Sequence, residues 1–173
     1  MRDRTAVSDS TPLIYLAKLG RLEILREVYN RVNIPKAVYE EVVQEGKERG
    51  LPDAHVVERA ADDWIQVIEV DSKIEKEYGF VDSNPGLGRG EKEAIKLCKQ
   101  VNASFFIADD REARRVARVL NIRTVGTCGT VIQAHRMGFY SMREAMQIID
   151  ELIGEGLRIS TIVYRRILDE LKI

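Results

Sequence analysis

A chain of 173 residues, 45% hydrophobic and 32% charged, is long enough to bury a core of its own and too apolar to remain disordered. The formal net charge of −1 excludes a protein that coats nucleic acid with overall positive charge, so any contact with a polyanion must come from a local patch or be bridged by a cation. No apolar run approaches the roughly 20 residues of a membrane span. The charged start, Met1 to Thr5, leads into an apolar stretch too short for a secretory signal, so a cytoplasmic protein without membrane contact is expected.

Thr5 to Ser8 reads as a short buried strand that ends on Asp9. Thr11-Pro12 opens a helix, with Pro12 in the first turn, where its missing N–H costs little. Leu13, Ile14, Leu16 and Ala17, then Leu22, Ile24, Leu25 and Val28, carry helical periodicity interrupted by Gly20. Arg31 to Ile34 is a second strand, and Pro35 starts a helix with Val38, Val42 and Val43 on its apolar side. A helix over Asp53 to Asp62 and a strand over Trp64 to Val70 follow. Asp71 to Arg89 is mixed, with turn chemistry concentrated in Asp82-Ser83-Asn84-Pro85-Gly86. Gly90 leads into an amphipathic helix, Glu91 to Cys98. A strand over Ser104 to Ala108 runs into Asp109-Asp110, a helix spans Arg111 to Leu120, and a short strand covers Arg123 to Val125. Two or three helices finish the chain, divided near Gly138 and around Gly154-Glu155-Gly156. Alternating strands and helices predict an α/β fold, with a mostly parallel sheet covered by helices on both faces. The expected organisation is one domain, with a main body over residues 1–140 and a helical C-terminal extension over 141–173.

Cys98 and Cys128 form no C-x-x-C pair, and with His55 and His135 they match no zinc spacing. Cys98 falls on an apolar helical face and reads as a buried free thiol. The acids are more informative. In open parallel sheets ligands bind beyond the carboxyl ends of the strands, and two strands end on acid, at Asp9 and at Asp109-Asp110. If those strands are neighbours, the carboxylates meet at one edge, where they resist joint ionisation unless a divalent cation compensates them. The other reading is that Asp9 and Asp110 are helix N-caps, and spacing alone leaves both open. Gly86-Leu87-Gly88-Arg89-Gly90 lacks a nucleotide-binding fingerprint and reads as a flexible turn ahead of a helix. Arg111, Arg114, Arg115 and Arg118 share one helical face, either as a solvated stripe or as a holder of RNA phosphates.

Five segments carry a resemblance. Val7-Ser8-Asp9-Ser10-Thr11-Pro12-Leu13-Ile14 and Ile34-Pro35-Lys36-Ala37-Val38-Tyr39-Glu40-Glu41-Val42 are similar to the opening motifs of PIN-domain proteins. Gly88-Arg89-Gly90-Glu91-Lys92-Glu93-Ala94-Ile95 and Ile107-Ala108-Asp109-Asp110-Arg111-Glu112-Ala113-Arg114 resemble the next two. Val125-Gly126-Thr127-Cys128-Gly129-Thr130 is similar to the glycine-threonine segment that follows them in a prokaryotic branch. The resemblance spans Thr5 to Gly138, in the family's order. It implies a three-layer fold and an acidic site for Mg²⁺ or Mn²⁺.

Asp9 matches the family's first acid and Glu41 its helical Glu, a choice over Glu40 that rests on the resemblance alone. Glu91 stands where most members carry Asp, which bears on metal affinity and geometry. The fourth acid falls in Asp109-Asp110, with Asp110 preferred because the family motif usually places its acid just before a polar helix start. The implied catalytic set is therefore Asp9, Glu41, Glu91 and Asp110, and the implied metal ligands are Asp9, Glu91, Asp109 and Asp110. The implied reaction is metal-dependent hydrolysis of RNA. Many relatives in the VapC-like group are toxins restrained by a small antitoxin, so the implied partners are RNA, such an antitoxin and a second copy of the chain. No residue marks this chain as a toxin.

Two other readings compete. One is a binding module that keeps the fold without catalysis. The other is a receiver-type phosphoacceptor, which needs an acceptor Asp after a middle strand and a Lys after a late one. Asp71 follows the Trp64–Val70 strand, but Val125-Gly126-Thr127 supplies no Lys.

Overall fold

The computed structural model describes residues 4–171. In chain order, β1 is Thr5–Ser8, α1 Ser10–Lys18, α2 Ile24–Val28 and β2 Arg31–Pro35. A continuous helical run follows, made of α3 (Lys36–Tyr39), a π-helical turn (Glu40–Glu45) and α4 (Gly46–Glu48). Next come α5 (Pro52–Asp63), β3 (Ile65–Ile68), α6 (Ser72–Glu77), a 3₁₀ turn (Gly79–Ser83) and α7 (Arg89–Gln100). The chain ends with β4 (Phe105–Ile107), α8 (Arg111–Val119), β5 (Thr124–Val125), α9 (Thr127–Arg136), α10 (Met142–Gly154) and α11 (Thr161–Leu171).

All five strands are parallel, in the order β3-β2-β1-β4-β5. The first strand therefore lies in the middle, and the winding reverses between β1 and β4, which pair Ser8 against Ile107. Such a switch point leaves a crevice beyond the carboxyl ends of the two strands. This order also rules out the receiver-type reading, whose sheet runs 2-1-3-4-5. The strand before Asp71 lies at the sheet's edge, and the Asp71 side chain caps α6 by accepting from the Ile74 N–H at 2.9 Å.

Strand alternation sends neighbouring side chains to opposite faces. Ala6, Val32, Ile34 and Ile107 join one core with α1, α2, α5, α9, α10 and α11. Val7, Phe106 and Ala108 join another with α7 and α8. The result is three layers, as expected. Helices α10 and α11 bury Ile148, Ile149, Leu152, Ile167 and Leu171 in the first of these cores. No helix among the described residues is long and apolar enough to cross a membrane.

Local chemistry sets several boundaries. Gly20 takes φ +63 just past α1, where its N–H reaches Ala17 O (3.0 Å) and that of Arg21 reaches Leu16 O (2.8 Å), closing the helix. In the segment that read as mixed, α6 and the 3₁₀ turn are drawn onto α7 by Lys96, whose Nζ donates to Glu75 (2.6 Å) and Asp82 (2.8 Å). Burial opposes the charge on Lys96, and the two carboxylates outweigh it, so its pKa is raised. Both cysteines are buried free thiols.

Helices α4 and α5 cross closely at Gly46, where an added Cβ would lie 2.9 Å from the Cβ of Ala54. Gly46→Ala should therefore destabilise the protein, with overpacking of about 1–3 kcal/mol partly offset by roughly 1 kcal/mol of helix propensity. Urea denaturation measures it, and adding Ala54→Gly should recover much of the loss.

Candidate active site

Asp9 leaves β1 at the switch point, and its N–H donates to Ile107 O at 2.9 Å, tying it to β4. It stands at the N-cap position of α1 but makes no side-chain cap hydrogen bond, so the cap reading does not account for it. Only 4% of the residue is exposed. Burial pushes its pKa up to about 7; the Ser10 backbone N–H opposes the rise, and the negative charges of Glu91, Glu41 and Asp109 add to it.

Glu40 and Glu41 part company in the π-helical turn. Glu40 pairs with Arg89 at 2.8 Å on the rim. Glu41 Oε2 instead accepts the Ser10 hydroxyl at 3.0 Å, one residue from Asp9. A Cβ on Gly90 would come within 3.0 Å of that same oxygen and 3.2 Å of Val38 Cγ2, so a glycine lets α7 approach the site closely. A π turn inserts an extra residue into the helical repeat and changes which side chains face a neighbour.

Glu91 sits in the first turn of α7 and reaches back, its Oε2 accepting the Gly88 N–H at 2.7 Å. Gly88 has no side chain to complete a reciprocal capping box, so this single bond holds the helix start. Burial raises the Glu91 pKa, the Gly88 N–H opposes this, and Asp110 and Glu41 add to it. The glycine-rich turn ahead of α7 is not a free loop. Asn84 Oδ1 accepts the Gly86 N–H at 2.8 Å, and Asn84 Nδ2 donates to Glu112 at 2.8 Å.

The two acids after β4 have different surroundings. Asp109 is half-buried and held twice by Thr127, whose N–H donates to Oδ1 at 2.9 Å and whose hydroxyl donates to Oδ2 at 2.5 Å. Burial raises its pKa, against the Thr127 hydrogen bonds and the nearby Arg114. Asp110 is exposed, and its Oδ1 accepts the Ala113 N–H at 2.8 Å, so it caps α8 while adding negative charge beside Glu91. A Cβ on Gly126 would lie 2.8 Å from Asp109 Oδ1.

Five acids thus act on one another at this edge: Asp9 with Glu41, Glu91 and Asp109, and Glu91 with Glu41 and Asp110. Among the described residues, no three Asp, Glu, His or Cys side chains are drawn together as a ready-made metal site. The donor chemistry nonetheless fits a hard divalent cation, because it is all carboxylate and its most buried acid is disfavoured as a bare charge. Sequence reasoning gave no role to Ser10, Thr127, Gly90 or Gly126. The first pair hydrogen-bonds to the acids, and the second pair makes room for them. The arginine stripe divides: Arg115 pairs with Glu112, Arg118 donates to the Thr124 hydroxyl, and Arg111 and Arg114 line a cavity beside Asp109.

A family model, DUF3368, described as a PIN domain, matches residues 5–172. The chain belongs to the PIN-domain family. The matched span takes in α10 and α11. No curated protein matches the sequence. Among solved structures, this PIN domain is similar to VapBC2 from Rickettsia felis, solved bound to a DNA fragment from its promoter. That match has a TM-score of 0.51 at 14% identity, over 70% of this chain and 98% of the other. It is also similar to a PilT N-terminus domain protein from the archaeon Sulfolobus solfataricus P2. There the TM-score is 0.46 at 18% identity, over 90% of this chain and 97% of the other. At these identities the likeness is one of fold.

Proposed function

We propose that this PIN domain is a metal-dependent endoribonuclease that hydrolyses RNA phosphodiester bonds at the β1–β4 crevice. The observation that supports this reading is Asp9: a buried acid, crowded by other carboxylates, at an N-cap position where it makes no side-chain cap hydrogen bond. Asp9, Glu91, Asp109 and Asp110 are the residues that would hold Mg²⁺ or Mn²⁺. A bound cation lowers the pKa of water and offsets charge on the leaving oxygen.

The chain's own residues orient the reaction. Thr127 fixes both oxygens of Asp109, and the Gly88 N–H holds one oxygen of Glu91. Ser10 occupies Glu41 Oε2, leaving Oε1 to take the proton of the attacking water as its oxygen bonds to phosphorus and the P–O ester bond breaks. Within this reading the protein acts in the cytoplasm as the toxin of a toxin–antitoxin pair, with a small antitoxin and a second copy of itself as partners.

Incubation with single-stranded RNA and Mn²⁺ or Mg²⁺ should give internal cleavage that EDTA stops. Glu41→Gln should lower the rate at least about 100-fold, the scale of losing a general base, while RNA binding is retained, and only the wild type should arrest growth on expression. Cleavage that survives EDTA overturns the reading. RNA binding without cleavage under any divalent cation would favour the non-catalytic binding module.

A further inference from the structure

A cavity of about 420 Å³ opens beside Asp109 between α8, α9 and α11. Four arginines line it: Arg111 and Arg114 from α8, Arg158 from the segment after α10, and Arg166 from α11. The whole chain carries 27 Lys and Arg against 28 Asp and Glu, so this concentration is local. Its two acids offset it only in part: Asp109 acts on Arg114, but four arginines face two acids. Glu170 is engaged by Arg136 at 3.2 Å, and Asp109 is turned to Thr127. Arg111, Arg158 and Arg166 make no ion pair among the described residues, and Arg114 Nε is buried there without a hydrogen-bond partner. Charges of one sign that come from separate elements and outnumber the opposite charges in one cavity repel one another. A ligand bearing negative charge relieves that repulsion, and guanidinium groups match phosphate oxygens geometrically.

We propose that this cavity is a subsite for a backbone phosphate of the RNA strand flanking the one that is cleaved, completed by Arg158 and Arg166 of the C-terminal helices. The position of that phosphate beside the cleaved one rests on the nuclease reading, and its binding on the cavity itself. Val163, 41% exposed, lines it as well and offers the adjoining nucleotide a non-polar surface. A substrate must then carry more than one phosphate to use the site fully.

The test uses the full chain and the double variant Arg158→Ala/Arg166→Ala, both positions exposed and outside the acidic crevice. Binding of a labelled twelve-nucleotide single-stranded RNA is measured in EDTA over a series of salt concentrations. The variant should bind about tenfold more weakly, and the slope of log affinity against log salt should fall by roughly 0.7, the value for one phosphate contact on a single strand. With Mn²⁺, the KM for the twelve-nucleotide RNA should rise, while cleavage of a dinucleotide with a single phosphate is unchanged. Unaltered affinity and slope overturn the subsite, as does polyglutamate competing as well as RNA of equal charge. RNA binding that depends on these arginines without any cleavage supports the subsite and removes the nuclease. Cleavage with unaltered binding does the reverse.

Discussion

Asp9→Asn is expected to raise the melting temperature of the cation-free protein at pH 8 by several degrees and to abolish RNA cleavage. Asp9 has a pKa of about 7 in the folded protein against an ordinary value of 3.8. Between those values the folded state holds the extra proton, so the contribution to stability is complete below about pH 4 and is lost as pH rises through 7. At pH 8 the bare carboxylate costs the fold at most about 4 kcal/mol. Asparagine removes the charge and leaves an amide to be satisfied, so the net gain is about 1–3 kcal/mol, or roughly 3–10 °C for a chain of this size. The advantage should shrink as pH falls toward 4, and Mn²⁺ should stabilise the wild type far more than the variant. Melting curves across pH, with and without Mn²⁺, measure all of this. Equal melting of both proteins at every pH would show that the crowding of carboxylates around Asp9 has no energetic weight.

Gly126→Ala should lower cleavage about 100-fold in a protein that still folds, the scale expected when a reacting group is misplaced by about an ångström. Gly126 has φ −91, which alanine adopts freely, so backbone strain plays no part. The new methyl would stand 2.8 Å from Asp109 Oδ1 and 3.5 Å from Arg114 Nη1. Asp109 cannot swing aside without breaking two hydrogen bonds to Thr127, the next residue along. Thr127→Val should give a milder loss, because the backbone N–H still holds one oxygen, and Thr127→Ser should restore the rate. Steady-state kinetics with a melting control reads the result. Full activity in Gly126→Ala would mean that the position of Asp109 is irrelevant to the reaction.

The acids that end strands were visible in the sequence because apolar runs such as Phe105-Phe106-Ile107 stop abruptly on charge, and burial on both faces marks those runs plainly. Their meeting was visible only conditionally. Nothing in Thr5 to Ser8 says that β1 and β4 are neighbours, since strand order is a property of long-range pairing. The short helix α6 gave no signal, because none of its residues is buried and no apolar stripe forms. Glu41 could not be told from Glu40 by periodicity, since the π-helical turn breaks the 3.6-residue repeat at that very place. Arg158 and Arg166 lie on segments whose sequence suggests only a helical C-terminal extension, and their convergence on Arg111 and Arg114 comes from how α11 packs against α9.

A sheet that starts in its own middle has a consequence for the order of events during synthesis. Asp9 leaves the ribosome early, but its partner Asp109 lies a hundred residues further along the chain, and Thr127 later still. At translation speeds of about 5–20 residues per second, several seconds pass in which the first strand exists without β4 beside it. During that interval the crevice has only one wall, and Asp9 has no Ile107 carbonyl to hold its backbone. The crevice is therefore assembled only once β4, Asp109 and Thr127 have all been made.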